Sequence, residues 1–525
     1  MKEKAVNRYD VLIAGAGPTG MVLALWLASE GARVSIVDKA AQPGTTSRAM
    51  MVQARTLELY RQLGLADEVV AAGKRNLAIN MWVKGRRRAR LSLQDAGDRL
   101  TPYPFVLAYP QDQHERLLLR HLERAGVTVQ RPVELVAFDD REDYVVARLR
   151  DADGGLRECE ARFLAGCDGA SSTVRQQLGA GFPGATRDHG FYVADVQAAG
   201  IAADGEVHVW LDTADFVLML PYTDTGRARL VGTVHGVGAD GHGGAGPATF
   251  DDVSHHALSG LGLRVDHVQW FSTYRVHRRV TGHYRSGQVF LAGDAAQVHS
   301  PAGGQGMNAG IGDAVNLAWK LAAVVRHEAP DSLLDSYETE RAAFGRKLVD
   351  TTDRMFDFVT AEGVFADFMR NRVAPILAPI LAPLLATGAH GIDAARSLIF
   401  KTVSQIAIDY HDSPLSIGSA GTIKAGDRLP WVGLDGVDNH APLDKIDWQV
   451  QVYGEGGDGL RAWCLLHGMP MREFAWSRRH EEAGFARNAH YLLRPDGHVA
   501  LCDPSPGPDA VAHYFRDRAY RRFCD

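Results

Sequence analysis

Cysteine is scarce. The 525 residues hold five, Cys159, Cys167, Cys464, Cys502 and Cys524, an odd number with no C-x-x-C pair. That argues against a disulfide framework, dithiol chemistry and a metal-thiolate site, and leaves reduced, structural thiols as the expectation, with no metal. Positive charge is not in excess either: 57 Lys and Arg are interspersed with 63 Asp and Glu. The basic stripe that nucleic acid or an anionic membrane requires is missing, so the expected partner is a small molecule. Long apolar runs are lacking too. The most apolar unusual stretch, "VAPILAPILAPLLA" at 373–386, is too short to span a bilayer, and Pro375, Pro379 and Pro383 interrupt helical hydrogen bonding. It reads as buried packing or a subunit contact, with a homodimer as one candidate assembly. The polar start "MKEKAVNRYD" has no apolar core or cleavage site of a secretory signal, which predicts a cytoplasmic protein.

What is present begins at residue 9. "YDVLIAGAGPTGMVLALWLASEGARVSIVDK" reads as strand, Gly-x-Gly-x-x-Gly turn, helix and a second strand ending in an acid. Gly15 suits the tight turn, Gly17 lets a pyrophosphate approach the backbone, and Gly20 lets helix and strand pack closely. Pro18 and Thr19 open the helix, whose free N–H groups and positive dipole favour phosphate. Asp38, followed by Lys39, is placed to accept the ribose hydroxyls of an adenosine. "GEGGDG" at 454–459 matches the same glycine pattern but reads as a surface turn, since no convincing helix or acidic strand end is expected after it.

Three further stretches extend the pattern. "SRAMMVQARTLELYRQLGL" brings Arg48, and "PQDQHERLL" brings Gln111 and Glu115. "LAGCDGASSTVR" carries Asp168 and Gly169, and "GQVFLAGDAAQVHSPAGGQGMNAGIGDAVNLAWKL" carries Gly293, Asp294, Pro301, Gly303, Gly304, Gly306, Met307 and Asn308. "VFLAGD" is a buried strand ending in an acid, suited to polyol hydroxyls or to capping a turn. The glycine run gives way to an amphipathic helix, with Ile311, Ala314, Ala318 and Leu321 on its buried face.

In this order the motifs resemble those of the FAD-dependent aromatic hydroxylases, the single-component flavoprotein monooxygenases that include p-hydroxybenzoate, phenol and polyketide hydroxylases. The resemblance covers nearly the whole chain. It implies tightly bound FAD, transient NADPH or NADH, O2, and a phenolic or polycyclic aromatic substrate hydroxylated through a flavin C4a-hydroperoxide. It implies Asp168 and Gly169 near the pyrophosphate, Asp294 on the ribityl chain, Arg48 and Gln111 beside the cofactor, and Met307 and Asn308 offering backbone to the flavin ring. Two positions depart from the pattern: Met50 stands where phenol hydroxylase-like members carry a proton-accepting aspartate, and Gln297 where "AAH" is usual. A flavin oxidoreductase, a monooxygenase of a non-aromatic substrate and a non-catalytic FAD-binding protein are the alternatives.

The implied fold is α/β: a Rossmann-like FAD-binding domain (1–75, 101–180 and 281–372) with an inserted β-sheet substrate domain (76–100 and 181–280). A connector (373–400) leads to a thioredoxin-like C-terminal domain (401–525) without C-x-x-C. In the inserted sheet, "EVHVWLDTADFVLMLPY" and "ARLVGTVHG" read as strands. Trp210, Phe216, Met219, Tyr222 and His235 are its candidate substrate-lining residues, together with Pro301 and Gly303. His235 and Tyr222 are candidate catalytic groups, as proton acceptors from a phenol.

Overall fold

The computed structural model describes residues 8–44, 49–83, 85–201, 204–211, 216–234, 249–253, 255–299, 304–360, 389–434, 436–505 and 507–523, with backbone alone at 186–189, 275–277, 350–360, 389–395, 434 and 437. Arg48, His235, Pro301, Gly303 and the 373–386 run lie outside the described residues.

The apolar strand Arg8–Ala14 is central to the first sheet and pairs in parallel with Val34–Val37 on one side and Leu156–Gly166 on the other. Val289–Leu291 and Val129–Gln130 extend the sheet in parallel at its two sides. Helix Pro18–Ser29 connects the first two strands with Pro18 in its first turn, the crossover unit read from the glycine motif. Residues 20–27 of this helix are all buried, because helix Gly306–Val325 covers its outer side.

A second sheet is antiparallel through most of its width. Its strands run Gln297–Val298, Leu263–Val280, Gly184–Gly200, Arg227–Val234, Phe216–Pro221, Val207–Leu211, Ala78–Val83 and Arg86–Ser92. Near the C-terminus, Gln449–Tyr453, helix Asp458–Leu466 and parallel Met471–Phe474 are followed by antiparallel His490–Leu493 and Val499–Asp503 and helix Asp509–Asp517. This is a thioredoxin-like arrangement. The "GEGGDG" run does lead into a helix, Asp458–Leu466, contrary to expectation, and that helix belongs to the C-terminal unit. No described helix is long and apolar enough to cross a membrane.

The helix Gly306–Val325 corrects the amphipathic expectation. Its polar residues Asp313, Asn316 and Lys320 are as buried as Ile311 and Leu321. Lys320 Nζ meets Glu340 Oε2 at 2.8 Å, and Arg494 Nη1 meets Glu340 Oε1 at 2.7 Å. Arg494 sits in the hairpin turn Arg494-Pro495-Asp496-Gly497-His498 of the thioredoxin-like unit. There Asp496 also accepts from Trp319 Nε1 at 3.2 Å, and its carbonyl accepts from Arg55 at 2.6 Å. Burial alone would raise the Glu340 pKa, but Arg494 and Lys320 outweigh it and hold the carboxyl well below the usual range. The charges thus stay ionised in a dry interior, and they join the C-terminal hairpin to the helix.

Burial lowers three histidines, His114, His440 and His498, to about 4. Unfolded, each takes its proton near pH 6.5. Between those values the unfolded state binds more protons, so stability falls as pH drops through the window. The unfolding free energy should therefore decline from pH 7 to pH 5, by on the order of 2 kcal/mol for each histidine, and the urea midpoint should fall with it. His114→Gln should flatten part of the slope; an unchanged midpoint across this range would contradict neutral burial.

Candidate active site: a cleft between two helix N-termini

The helices Pro18–Ser29 and Gly306–Val325 start at the same place, a cleft of about 410 Å³. Their contact with each other and with the turn Gly293–Ala295 is close because a glycine in each, Gly310 and Gly293, makes room for one threonine. A Cβ on Gly310 would collide with Thr19 Oγ1, and one on Gly293, whose φ is +64°, would lie 2.6 Å from the same atom. Both helix starts therefore present free N–H groups and positive dipole ends to the cleft.

The cleft wall includes Gly17, Pro18, Thr19, Gln111, Gly169, Asp294, Gly304, Gly306 and Met307, so residues spread from 17 to 307 meet around one space. Gln111 accepts from Ala49 N–H at 3.0 Å and donates to Glu115 at 2.8 Å. Asp294 leads into the cleft from the turn Gly293–Ala295. Gly15 and Gly20 lie behind the wall, packed backbone to backbone. Asp38 lies at the end of its strand, where it accepts from Ala16 N–H at 2.7 Å and Ala40 N–H at 2.8 Å. Oδ2 keeps a second lone pair for a hydroxyl. Arg131, which the sequence pattern does not flag, pairs with Asp38 at 3.2 Å. Lys39 is exposed.

Two expected contacts have other occupations. The Asp168 carboxylate caps helix Thr173–Gln177, accepting from Thr173 N–H at 2.7 Å and Val174 N–H at 3.2 Å, while neighbouring Gly169 reaches the cleft. The Asn308 amide is fully used: it donates to the Met51 and Gly304 carbonyls at 2.8 Å each and accepts from Gln53 N–H and Thr56 Oγ1. Only its backbone is available to a ligand.

The opposite wall comes from the second sheet and the segment after the first crossover: Met50, Met51, Val193, Leu218, Leu220, Val231 and Arg229. Trp210 and Met219, expected to line it, do not. Both are fully buried in a separate core with Tyr192, Ala257 and Leu261 on the sheet's other face. Strand residues alternate between faces, so Leu218 and Leu220 take the cleft and Met219 turns away. Phe216 shares the Leu218 face but packs with Phe191 and Leu211, beyond the cleft. Tyr222 packs in a cluster with Met50 and Met51. Burial raises its phenol to about 12, so at neutral pH it keeps its proton and cannot act as a base.

Arg229 was missed by sequence reasoning. Its guanidinium grips Asp195 through two bonds, 2.8 Å and 2.7 Å, and only 3% of the residue is exposed. The signal was present but faint: Asp195 and Arg229 are cross-strand partners, each with apolar neighbours on both sides, Ala194 and Val196 on one strand and Ala228 and Leu230 on the other. His299, also on the wall, lies in the segment read as "VHSP".

A family model described as "FAD binding domain" matches residues 8–352. The chain belongs to the FAD-dependent aromatic hydroxylases. Among the relatives of this flavoprotein monooxygenase, 6-methylpretetramide 4-monooxygenase of Streptomyces rimosus is 38% identical over 78% of this chain and 71% of its own. Pentachlorophenol 4-monooxygenase of Sphingobium chlorophenolicum is 31% identical over 80% and 75%. The solved ternary complex of aklavinone-11 hydroxylase with FAD and aklavinone superposes with a TM-score of 0.74 at 25% identity, covering 99% of this chain and 100% of that one.

The cleft fits the cofactor on its own geometry. At Gly17, where the first helix begins, a Cβ would meet no protein atom within 4 Å, so the space beside it is left for something else. Its backbone is extended, with φ −78° and ψ −179°, which alanine adopts without strain. Gly17→Ala should therefore fold with stability within about 0.5 kcal/mol of the parent. Fluorescence titration should nonetheless show FAD affinity reduced at least about tenfold. Unchanged affinity would remove the pyrophosphate from this turn.

Proposed function

We propose that this FAD-dependent hydroxylase uses NAD(P)H and O2 to hydroxylate a phenolic or polycyclic aromatic compound. The observation that carries the reading is the pairing of two unlike walls: glycine-rich helix starts on one side, and an apolar sheet face with one buried arginine on the other. FAD, when bound, supplies reductive activation of dioxygen, which no side chain can provide.

The chain's own residues supply placement, dryness and charge. Gly17, Pro18 and Thr19 hold the pyrophosphate end, on a turn whose close packing Gly15 and Gly20 allow, and Asp38 holds the ribose. Asp294, Gln111 and the backbone from Gly304 to Asn308 hold the flavin end. The sheet of residues 76–100 and 181–280 covers the aromatic substrate, with Met50, Met51, Val193, Leu218, Leu220 and Val231 excluding water. Met50 is 3% exposed and cannot take a proton. Activation of a phenol then rests on another group of the site or on electrostatic polarisation, for which Arg229 is the buried cation on the wall. Its charge is shared with Asp195, so it favours a hydrogen-bonded phenol oxygen over a free anion.

Purified protein carrying FAD should oxidise NADPH or NADH slowly alone and faster with a cognate phenol, giving a product heavier by one oxygen. Consumption indifferent to a broad panel of phenols would favour a flavin oxidoreductase, and no consumption at all a non-catalytic FAD-binding protein.

A further inference from the structure

Asp313 lies in the second turn of helix Gly306–Val325, fully buried, and collects donors from three directions. Oδ2 accepts from the Gly293 N–H at 3.0 Å and from Gln297 Nε2 at 3.2 Å, and Oδ1 accepts from Arg341 Nε at 2.6 Å. Gly293 is the residue immediately before Asp294. The turn it opens is closed by Ala296 N–H on the Gly293 carbonyl at 2.8 Å, and Arg175 holds its far end through the Ala295 carbonyl at 2.9 Å.

Arg341 ties the same carboxylate to the start of the helix. Its Nη2 donates to the Ala309 carbonyl at 3.0 Å and its Nη1 to Tyr410 Oη at 3.0 Å. The Tyr410 ring lies against His498, centroids 4.4 Å apart, and under Arg494 at 5.2 Å. One buried carboxylate therefore fixes the acid-bearing turn to the glycine-rich helix start, and a chain of contacts runs from it to the C-terminal hairpin.

We propose that Asp313 is a positioning residue for the cofactor: through the Gly293 N–H it aims Asp294 into the cleft, and through Arg341 it locks that aim to the helix on which the flavin rests. The proposal rests on the reading of Asp294 as a cofactor contact. The carboxylate is needed rather than its shape alone, because all its partners are donors. An amide would turn its own NH2 group against one of them. A donor left unpaired at this depth displaces the turn or costs stability.

The test is a double-mutant cycle read by FAD fluorescence titration into apoprotein, with far-UV circular dichroism to verify the fold. Asp294→Ala and Asp313→Asn should each raise the FAD Kd at least about tenfold, and the double variant should lose no more than about twofold beyond Asp294→Ala. The visible circular dichroism of bound flavin should change alike in both single variants. Losses that multiply in the double variant, or a wild-type Kd in folded Asp313→Asn, would overturn the positioning role while leaving Asp294 as a contact. A wild-type Kd in Asp294→Ala would overturn both. Should Asp313→Asn fail to fold, Arg341→Lys keeps a cation beside Asp313 but gives up the Tyr410 and Ala309 bonds. Its loss of affinity should be coupled to Asp294→Ala in the same way, and independent losses would overturn the proposal.

Discussion

Thr19 occupies the space that Gly293 and Gly310 leave open, and the cleft depends on that contact. It brings the starts of two helices, almost three hundred residues apart in sequence, within reach of one ligand. A side chain at Gly310 would push the helices apart, and one at Gly293 would move the turn that carries Asp294. The cleft then needs no acid, base or nucleophile of its own on the helix side. In the proposed function, backbone N–H groups and two dipole ends do the binding, and they favour the phosphates at one end and a reduced, negatively charged flavin at the other.

The charged interior serves the same end. Lys320, Glu340, Arg494 and Asp496 form a dry cluster that no solvent stabilises, and removing one partner would strand another. Such a cluster adds little net stability for its size, yet it admits few alternative packings. Its location between helix Gly306–Val325 and the hairpin of the thioredoxin-like unit gives that unit a physical role that needs no cysteines. It braces the far side of the helix whose start lines the cleft.

Much of this was legible in the sequence, because local rules fix it. The strand, glycine turn, helix and acidic strand end at 9–39 fold as written, since each step is dictated by neighbours a few residues away. The meeting of Gln111, Gly169, Asp294 and Met307 at one cleft followed from the resemblance rather than from periodicity. Strand phase was misjudged: Trp210 and Met219 are attractive lining residues by type, but one step along a strand reverses the face. The burial of Asp313, Asn316 and Lys320 could not be read from a helix that looks amphipathic, because their partners Arg341, Glu340 and Arg494 come from distant segments. Arg229 and Arg131 were hidden for the same reason, each paired with an acid from another segment of the chain.

In the proposed hydroxylation the inserted atom comes from dioxygen, not from a protein side chain or water. Running the reaction under isotopically heavy dioxygen in ordinary water measures this most directly. One heavy oxygen atom is expected in each hydroxyl group introduced into the aromatic product. A hydroxylated product that takes its oxygen from water would contradict it.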